Sequence, residues 1–435
     1  MWRLSRLLRL FKLHQDLRVS LIDRLKIRHY FEHPKWRLLA SQVLAQALLF
    51  LSLPFISRGF LAVEIGQWSV FQAFALFLWS FSQLKTDLSL IQADTEAERH
   101  ALVRTGLAIH LLITALGVVL LGITDFGERL QLTHLWFLWW YLAGFGMNLM
   151  LQNYLLSIGS YNGLISMRVL TPLLSFPGSL LLMWMQVPNA LTIGLLVGVW
   201  LPAIKPLYQS RVLQSWRFAN VRHVKTYWRK YQKNATLGSA NALIGSLADQ
   251  LLVLVIANHF KEDMVAAYFM AYRFCTAPIS LVSASVGQYN FRMYQELHRK
   301  GQFFPKVPLD YWKKWLPVSL AYYGTLILFG REIFGIVLGP NWTYAGYLAS
   351  LLAVPSALIF LTSPTSSAFT VIQKQEYVLA LSAGTLVRLL VMVMAIFYDQ
   401  QLETFVLVYA VSGVAYTIIF NSVMLFAIHA AQQKR

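Results

Sequence analysis

Long apolar runs separated by short polar segments repeat along the whole chain. A helix that crosses a hydrocarbon core about 30 Å thick needs about 20 predominantly apolar residues. About twelve runs meet this requirement, and the predicted spans are 37–58, 66–84, 101–122, 133–157, 164–185, 190–209, 236–257, 264–288, 312–330, 343–362, 377–398 and 402–427. A transmembrane barrel would instead show segments of about ten residues with alternating hydrophobicity. The pattern therefore predicts an all-α polytopic membrane protein with about 12 transmembrane helices.

The distribution of basic residues predicts the orientation of these spans. With the N-terminus in the cytoplasm, 31 of the 37 Lys and Arg residues fall in cytoplasmic segments or at the cytoplasmic ends of spans, and two, Arg273 and Arg388, lie deep within spans. The outer loops hold the remaining four, which are Arg58, Arg129, Lys261 and Arg331. Cytoplasmic loops of membrane proteins carry such an excess of Lys and Arg. We therefore predict that both termini lie in the cytoplasm.

The composition excludes a soluble enzyme, a secreted disulfide scaffold and a disordered chain. Hydrophobic residues make up 57% of the chain and charged residues only 13%, whereas a soluble domain has about 25% charged residues. The net charge of +18 follows from membrane orientation, so we expect no nucleic-acid partner. The single cysteine, Cys275, allows no intramolecular disulfide and no cysteine-based metal site.

Motifs for catalysis are also missing from the sequence. It contains no Gly-rich phosphate loop, no HExxH and no Cys/His cluster. We therefore predict no catalytic residues, no metal and no cofactor. Transport is the favoured function for a chain with a dozen spans and little other mass.

The largest cytoplasmic connector, residues 210–235, is basic and divides the chain into six spans and six spans. It separates a predicted N-lobe (36–209) from a C-lobe (236–435). An even number of spans in each half gives both halves the same orientation, so any internal repeat is parallel. A faint repeat occurs at an offset of 200, where Ile56 and Phe60 match Ile256 and Phe260, and Trp68 matches Tyr268.

Residues 1–35 form a separate basic segment on the predicted cytoplasmic face. Apolar residues such as Leu4 and Leu8 interleave with Arg3, Arg6 and Arg9 at helical spacing. This pattern is typical of an amphipathic helix that lies on anionic inner-leaflet lipids. The alternative is a solvated basic arm without fixed structure.

Ionisable residues inside spans are candidates for function, because each costs about 2.5–3.5 kcal/mol at the centre of a helix. Arg273 and Arg388 are predicted to line a central cavity and bind an anionic group, since a guanidinium pairs bidentately with phosphate. For Arg273 the alternative is a structural ion pair with Asp249 on the neighbouring helix. Asp249 is alternatively a site for a coupling proton or sodium ion.

Three further polar residues are secondary candidates. His110 lies within span three, where a hydrogen-bonded packing role is the stronger interpretation. Arg168 and Arg58 lie near span ends, where extension of the side chain to the lipid headgroups is the stronger interpretation.

Four segments carry a resemblance to a known family. They are 247–291, with Tyr268, Ala271, Arg273 and Pro278; 328–346, with a Gly-x-x-Trp turn; the hairpin 55–75; and the acidic loop 84–98. In these segments the chain resembles the polysaccharide flippases (Wzx-type), which belong to the multidrug/oligosaccharidyl-lipid/polysaccharide exporter (MOP) superfamily. The resemblance covers spans one to three and seven to eleven.

The resemblance implies two six-helix lobes around a cationic central cavity. It implies that the protein moves an undecaprenyl-diphosphate-linked oligosaccharide from the inner to the outer leaflet of the bacterial cytoplasmic membrane by alternating access. Arg273 matches the position of a family cation, and Asp249 that of its acidic neighbour. The process served would be O-antigen, capsule or exopolysaccharide synthesis. The expected partners are the lipid-linked oligosaccharide diphosphate, anionic inner-leaflet lipids, and polysaccharide polymerase and chain-length machinery.

Two other functions remain open on the sequence. One is a cation-coupled multidrug exporter of the same superfamily, for which carboxylates in the cavity are expected. The other is a non-transporting membrane scaffold of a polysaccharide assembly complex, whose intramembrane charges would serve helix packing alone.

Overall fold

The computed structural model describes residues 34–123, 135–209, 230, 232, 234–302, 304–372, 374–398 and 401–433. Every regular element in these ranges is a helix. The predicted N-terminal amphipathic segment and most of the linker 210–235 lie outside the described residues.

Twelve helices of 20 or more residues form most of the described part of the chain, and short helical segments lie between some of them. They are α1 (Pro34–Gly59), α2 (Ala62–Ser82), α3 (Glu96–Ile123), α4 (Leu135–Ser157), α5 (Tyr161–Trp184), α6 (Ala190–Gln209), α7 (Ser239–His259), α8 (Glu262–Arg299), α9 (Lys306–Val337), α10 (Thr343–Thr362), α11 (Gln375–Tyr398) and α12 (Leu402–Gln433). Each overlaps one of the twelve predicted spans, and the spans 66–84, 133–157, 164–185 and 236–257 extend slightly beyond their helices. The all-α fold class is confirmed.

Nine of these helices are long and apolar enough to cross a membrane by length and composition within the described residues. The other three are α2, α4 and α11. The largest differences from the sequence prediction are α8, which extends well beyond the end of its predicted span, and α9, which extends beyond its predicted span at both ends. The 38 residues of α8 correspond to a length of about 57 Å. This helix continues past the apolar run, because residues 289–299 combine polar and apolar side chains at helical spacing.

The turn between α1 and α2 is repeated between α7 and α8 at an offset of 200 residues. The amide of Phe60 donates to Ile56 O at 3.0 Å, and that of Phe260 to Ile256 O at 2.9 Å. The residue before α2, Leu61, and the residue before α8, Lys261, have nearly the same extended backbone conformation. The structure therefore contains a repeated hairpin in the register of the faint sequence repeat.

Packing groups the helices into two sets. In the first half α5 packs against α1 and α6, and α4 packs against α3 and α6. In the second half α10 packs against α8, α9 and α12, and α11 packs against α12. The two sets meet where α2 contacts α7 and α8. The largest apolar cluster runs through this contact, with Ile56, Trp68, Ile256 and Tyr268 among its buried residues.

Large apolar side chains cover the outside of the helices. On α3, Leu112 is 70% exposed and Ile123 is 75% exposed. Water would oppose exposure of this much apolar surface, whereas lipid tails solvate it. The exposed apolar surface therefore supports a multi-pass membrane protein.

Candidate functional site

Arg273 on α8 bridges the two halves of the molecule. Its Nη2 donates a hydrogen bond to Oε1 of Gln72 on α2. The guanidinium also lies over the ring of Phe269, 4.8 Å from the ring centroid. Gln72 is buried and Arg273 is half-buried. A cation predicted from sequence to matter is thus held at the contact between the lobes, by a partner that the sequence analysis did not identify.

Aromatic residues lie on the helix turns next to Gln72 and Arg273. Trp68 meets Phe269 edge-on at 5.1 Å and Phe176 at 6.1 Å. Tyr268 stacks on Tyr272 at 6.0 Å, on the turn of α8 that precedes Arg273. The guanidinium therefore lies in a largely apolar environment, where electrostatic interactions are stronger than in water. The predicted role of Arg273 in anion binding stays a prediction.

The charge of Arg273 is not balanced by any carboxylate among the described side chains that contact it. Asp249 lies on the neighbouring helix α7, but its side chain is outside the described part of the structure. The predicted ion pair between Arg273 and Asp249, and the predicted ion-coupling role of Asp249, therefore stay predictions.

Arg388 occupies a different kind of position. Its Nη2 donates to Tyr409 O at 2.9 Å and its Nε to Ser412 Oγ at 3.1 Å, both on α12. The guanidinium lies 4.1 Å from the centroid of the Tyr409 ring. Arg388 therefore joins α11 to α12 within one lobe, and its predicted role in anion binding stays a prediction.

His110 is fully buried and hydrogen-bonded through both ring nitrogens. Nδ1 pairs with Ser82 Oγ at 2.7 Å, and Nε2 pairs with Leu142 O at 2.8 Å. Because a carbonyl accepts, Nε2 carries a proton. The residue joins α2, α3 and α4 and has the contacts of the packing role favoured by the sequence.

Arg58 belongs to a group of contacts at the end of α1, which we call the outer clasp. Arg58 Nη2 donates to Ile336 O at 2.6 Å, Ser57 Oγ donates to Leu338 O at 3.0 Å, and Trp342 Nε1 donates to Ser57 O at 3.0 Å. In the predicted orientation these residues lie on the outer side, where they tie α1 to the end of α9 and the turn before α10. The Gly-x-x-Trp turn was visible in the sequence, but its partner on α1 was not.

Arg168 is half-buried on α5, and no hydrogen bond or ion pair joins it to another described residue. Its predicted extension to the headgroups stays a prediction.

The opposite end of the molecule carries a cluster of charges. Lys230, in the linker before α7, lies 2.9 Å from Oε1 of Glu98 and 3.1 Å from Oδ2 of Asp94. The Glu98 side chain is buried, while the other two side chains are more exposed. The loop before α3 and the first turn of α3 thus bind the segment that leads into the second lobe.

The chain is similar in fold to solved structures of membrane transporters. No family model and no curated protein matches the chain. A solved structure of the lipid II flippase MurJ in an inward closed conformation is similar, with a TM-score of 0.70 and 12% identity over 92% of this chain and 90% of that one.

Two structures of multidrug resistance MATE transporters of the MOP superfamily are also similar. The inward-facing one has a TM-score of 0.63 and 14% identity over 89% of this chain and 96% of that one. The outward-facing one has a TM-score of 0.54 and 17% identity over 93% of this chain and 98% of that one. The chain therefore has the fold of MOP superfamily transporters, while the narrower resemblance to the Wzx-type flippases stays a prediction.

Proposed function

We propose that this protein is a flippase that moves an undecaprenyl-diphosphate-linked oligosaccharide from the inner to the outer leaflet of the bacterial cytoplasmic membrane, for polysaccharide synthesis. The observation that carries the proposal is the position of Arg273. Its guanidinium lies at the contact between the lobes and is held by the neutral amide of Gln72.

A diphosphate is the ligand that this arrangement fits. Removing a guanidinium from water carries a large energetic penalty unless an opposite charge balances it. The Gln72 amide oxygen satisfies one N–H group but supplies no negative charge. A phosphate supplies charge and accepts two parallel hydrogen bonds from the same guanidinium.

Phosphate binding would also shift the equilibrium between conformations in which the lobes are in contact and conformations in which they are separated. A ligand shifts an equilibrium between two conformations by the difference in its affinity for them. A phosphate that takes the place of Gln72 removes one of the bonds between α2 and α8. Substrate binding and separation of the lobes are therefore coupled at Arg273, as alternating access requires.

The outer clasp supports loading from the cytoplasmic side. It joins the lobes at their predicted outer ends, and the chain is more similar to the inward-facing MATE structure than to the outward-facing one. The similarity to a lipid II flippase supports a cargo in which a sugar headgroup is carried on a lipid.

The test is transfer of a fluorescent lipid-diphosphate oligosaccharide between leaflets of reconstituted vesicles. We expect Arg273→Ala to slow transfer about 10- to 150-fold, because a hydrogen bond to a charged group contributes about 1.5–3 kcal/mol. The matched control is Arg331→Ala, which removes an exposed arginine that lies 4.5 Å from the Tyr347 ring centroid. Equal transfer rates in the wild type and both variants would contradict the proposal.

A cation-coupled multidrug exporter is the second candidate, and the similarity to MATE transporters favours it. Such a protein binds organic cations, which the guanidinium of Arg273 repels. Uptake of an organic cation by the same vesicles, without transfer of the lipid, would establish this alternative. Absence of both activities would favour the scaffold of a polysaccharide assembly complex.

A further inference from the structure

A cavity of about 300 Å³ lies at the end of the second lobe, far along α8 from Arg273. The end of α8, the connection to α9 and the end of α12 form its walls, together with the segment after the short helix Ala368–Val371. Its apolar lining consists of Phe304, Ile372, Ile428 and Ala431, and its polar edge of His298 and Gln432. In the predicted orientation it faces the cytoplasmic leaflet.

The cavity has the size and lining of a site for an apolar chain. Ligand pockets range from about 300 to 1,000 Å³, so this one fits the end of a single acyl chain and not a folded segment of protein. Phe304 is 48% exposed, so the cavity reaches the surface of the molecule. Each methylene group that enters it from water contributes favourably to binding.

Basic residues lie next to the lining residues along the chain. Arg299 and Lys300 are exposed and directly follow the lining residue His298. Lys306 lies two residues after Phe304, and residues 298–306 contain no Asp or Glu. Clusters of Lys and Arg at the cytoplasmic surface of a membrane attract anionic lipid headgroups.

We propose that this cavity binds an anionic phospholipid of the cytoplasmic leaflet, with the end of one acyl chain between α8 and α12 and the headgroup phosphate beside Arg299 and Lys300. A lipid bound in this way ties the cytoplasmic ends of the two helices together. The site is separate from Arg273, and the proposal does not depend on the substrate that the protein carries.

The charge argues against the other occupant that the chain itself offers. The amphipathic N-terminal segment has apolar side chains of suitable size, but residues 1–33 contain eight Lys and Arg against three Asp and Glu. A basic segment would be repelled by the basic residues next to the lining, whereas an anionic lipid is attracted to them.

The experiment uses the full chain in vesicles with phosphatidylglycerol or phosphatidylcholine that carries a photoreactive group at the end of one acyl chain. Cross-linked residues are identified by mass spectrometry. We expect cross-links at Ile372, Ile428 and Ala431, several-fold stronger with phosphatidylglycerol. Equal labelling by the two lipids, or no labelling of these residues, would overturn the proposal.

Two variants separate specific binding from general attraction to the membrane. Arg299→Gln combined with Lys300→Gln removes two exposed charges next to the lining residue His298, and we expect a several-fold loss of cross-linking by phosphatidylglycerol. Lys313→Gln combined with Lys314→Gln is the matched control, because it removes two adjacent exposed charges at the start of α9. Equal losses in the two double variants would overturn the proposal, as would displacement of the phosphatidylglycerol probe by a polyprenyl diphosphate.

Discussion

Arg273 and Arg388 are alike in chemistry and differ in what they join. Each is a half-buried arginine in a helix that overlaps a predicted span. Each lies over an aromatic ring and donates to neutral hydrogen-bond acceptors. Arg273 reaches Gln72 on a helix of the other lobe, whereas Arg388 reaches Tyr409 and Ser412 on the adjacent helix of its own lobe.

Under the proposed function, the difference indicates which contacts are tied to transport. A contact between lobes breaks when the lobes separate, so its strength affects the balance between conformations. A contact within a lobe persists through that motion and contributes to folding in every conformation. Variants of the two kinds of contact should therefore change different measurements.

The largest effect is expected from neutralising the two arginines. Arg273→Gln should slow lipid transfer about tenfold or more, because the charged hydrogen bond to the substrate phosphate is lost, while the unfolding temperature should change little. Arg388→Gln should lower the free energy of unfolding by about 1–3 kcal/mol and leave transfer per folded molecule nearly unchanged. Transfer assays and thermal unfolding on the same samples check both variants. A loss of transfer of equal size in both would show that Arg388 also acts on the substrate.

Two glycines sharpen the comparison. A Cβ on Gly66 would lie 2.1 Å from Glu262 O on the other lobe, and a Cβ on Gly346 would lie 2.2 Å from Gly330 O within one lobe. Overpacking typically costs about 1–3 kcal/mol. We expect Gly346→Ala to lower the unfolding temperature, because its clash lies within one lobe. Gly66→Ala should instead favour separation of the lobes, because separation relieves the clash with Glu262 O.

Lobe separation is measured by labelling of a cysteine at Val265, which is buried at the predicted outer end of α8. The background is Cys275→Ser, and the reagent is a maleimide that does not cross the membrane. Gly66→Ala should raise the labelling rate and Gly346→Ala should not. If both glycine variants lowered the unfolding temperature by the same amount and left the labelling rate unchanged, the distinction between contacts across the lobes and contacts within a lobe would be contradicted.

Two tryptophans provide a smaller test of the same kind. Trp342 Nε1 donates to Ser57 O across the lobes, and Trp312 Nε1 donates to Thr365 Oγ1 within one lobe at 3.2 Å. A neutral hydrogen bond contributes about 0.5–1.5 kcal/mol, so Trp342→Phe should raise labelling at the Val265 cysteine about 2- to 10-fold. Trp312→Phe is the control and should leave labelling unchanged. A rise in the labelling rate in both variants would show that loss of the outer clasp is not the cause of the faster labelling.

The smallest effect is expected at the charge cluster of the cytoplasmic end. Lys230 pairs with buried Glu98, but its own side chain is 47% exposed, so solvent screens the interaction. Lys230→Ala should lower the free energy of unfolding by no more than about 1 kcal/mol, and by less at high salt. A larger loss that is independent of salt would show that the cluster is shielded from solvent. Unfolding curves at two salt concentrations distinguish these results.

The helices could be predicted because their signal is local. Bilayer thickness sets the length of an apolar run, so each predicted span overlaps one observed helix, although the ends differ and the end of α8 was underestimated. The hydrogen bonds of His110 agree with the packing role that the sequence favoured for a histidine inside a span. For Asp249, whose side chain is not described, the sequence remains the source of the prediction.

The sequence by itself determined the number of helices, the predicted orientation and the candidate charges, because each depends on neighbouring residues or on counts along the chain. Only the tertiary structure decided what those charges join. Gln72 and Arg273 are 201 positions apart, and Ser57 and Trp342 are 285 apart. Arg388, by contrast, meets Ser412 only 24 positions away, on the next helix. No periodicity specifies which helices meet at such separations, because packing of the two lobes brings these residues together.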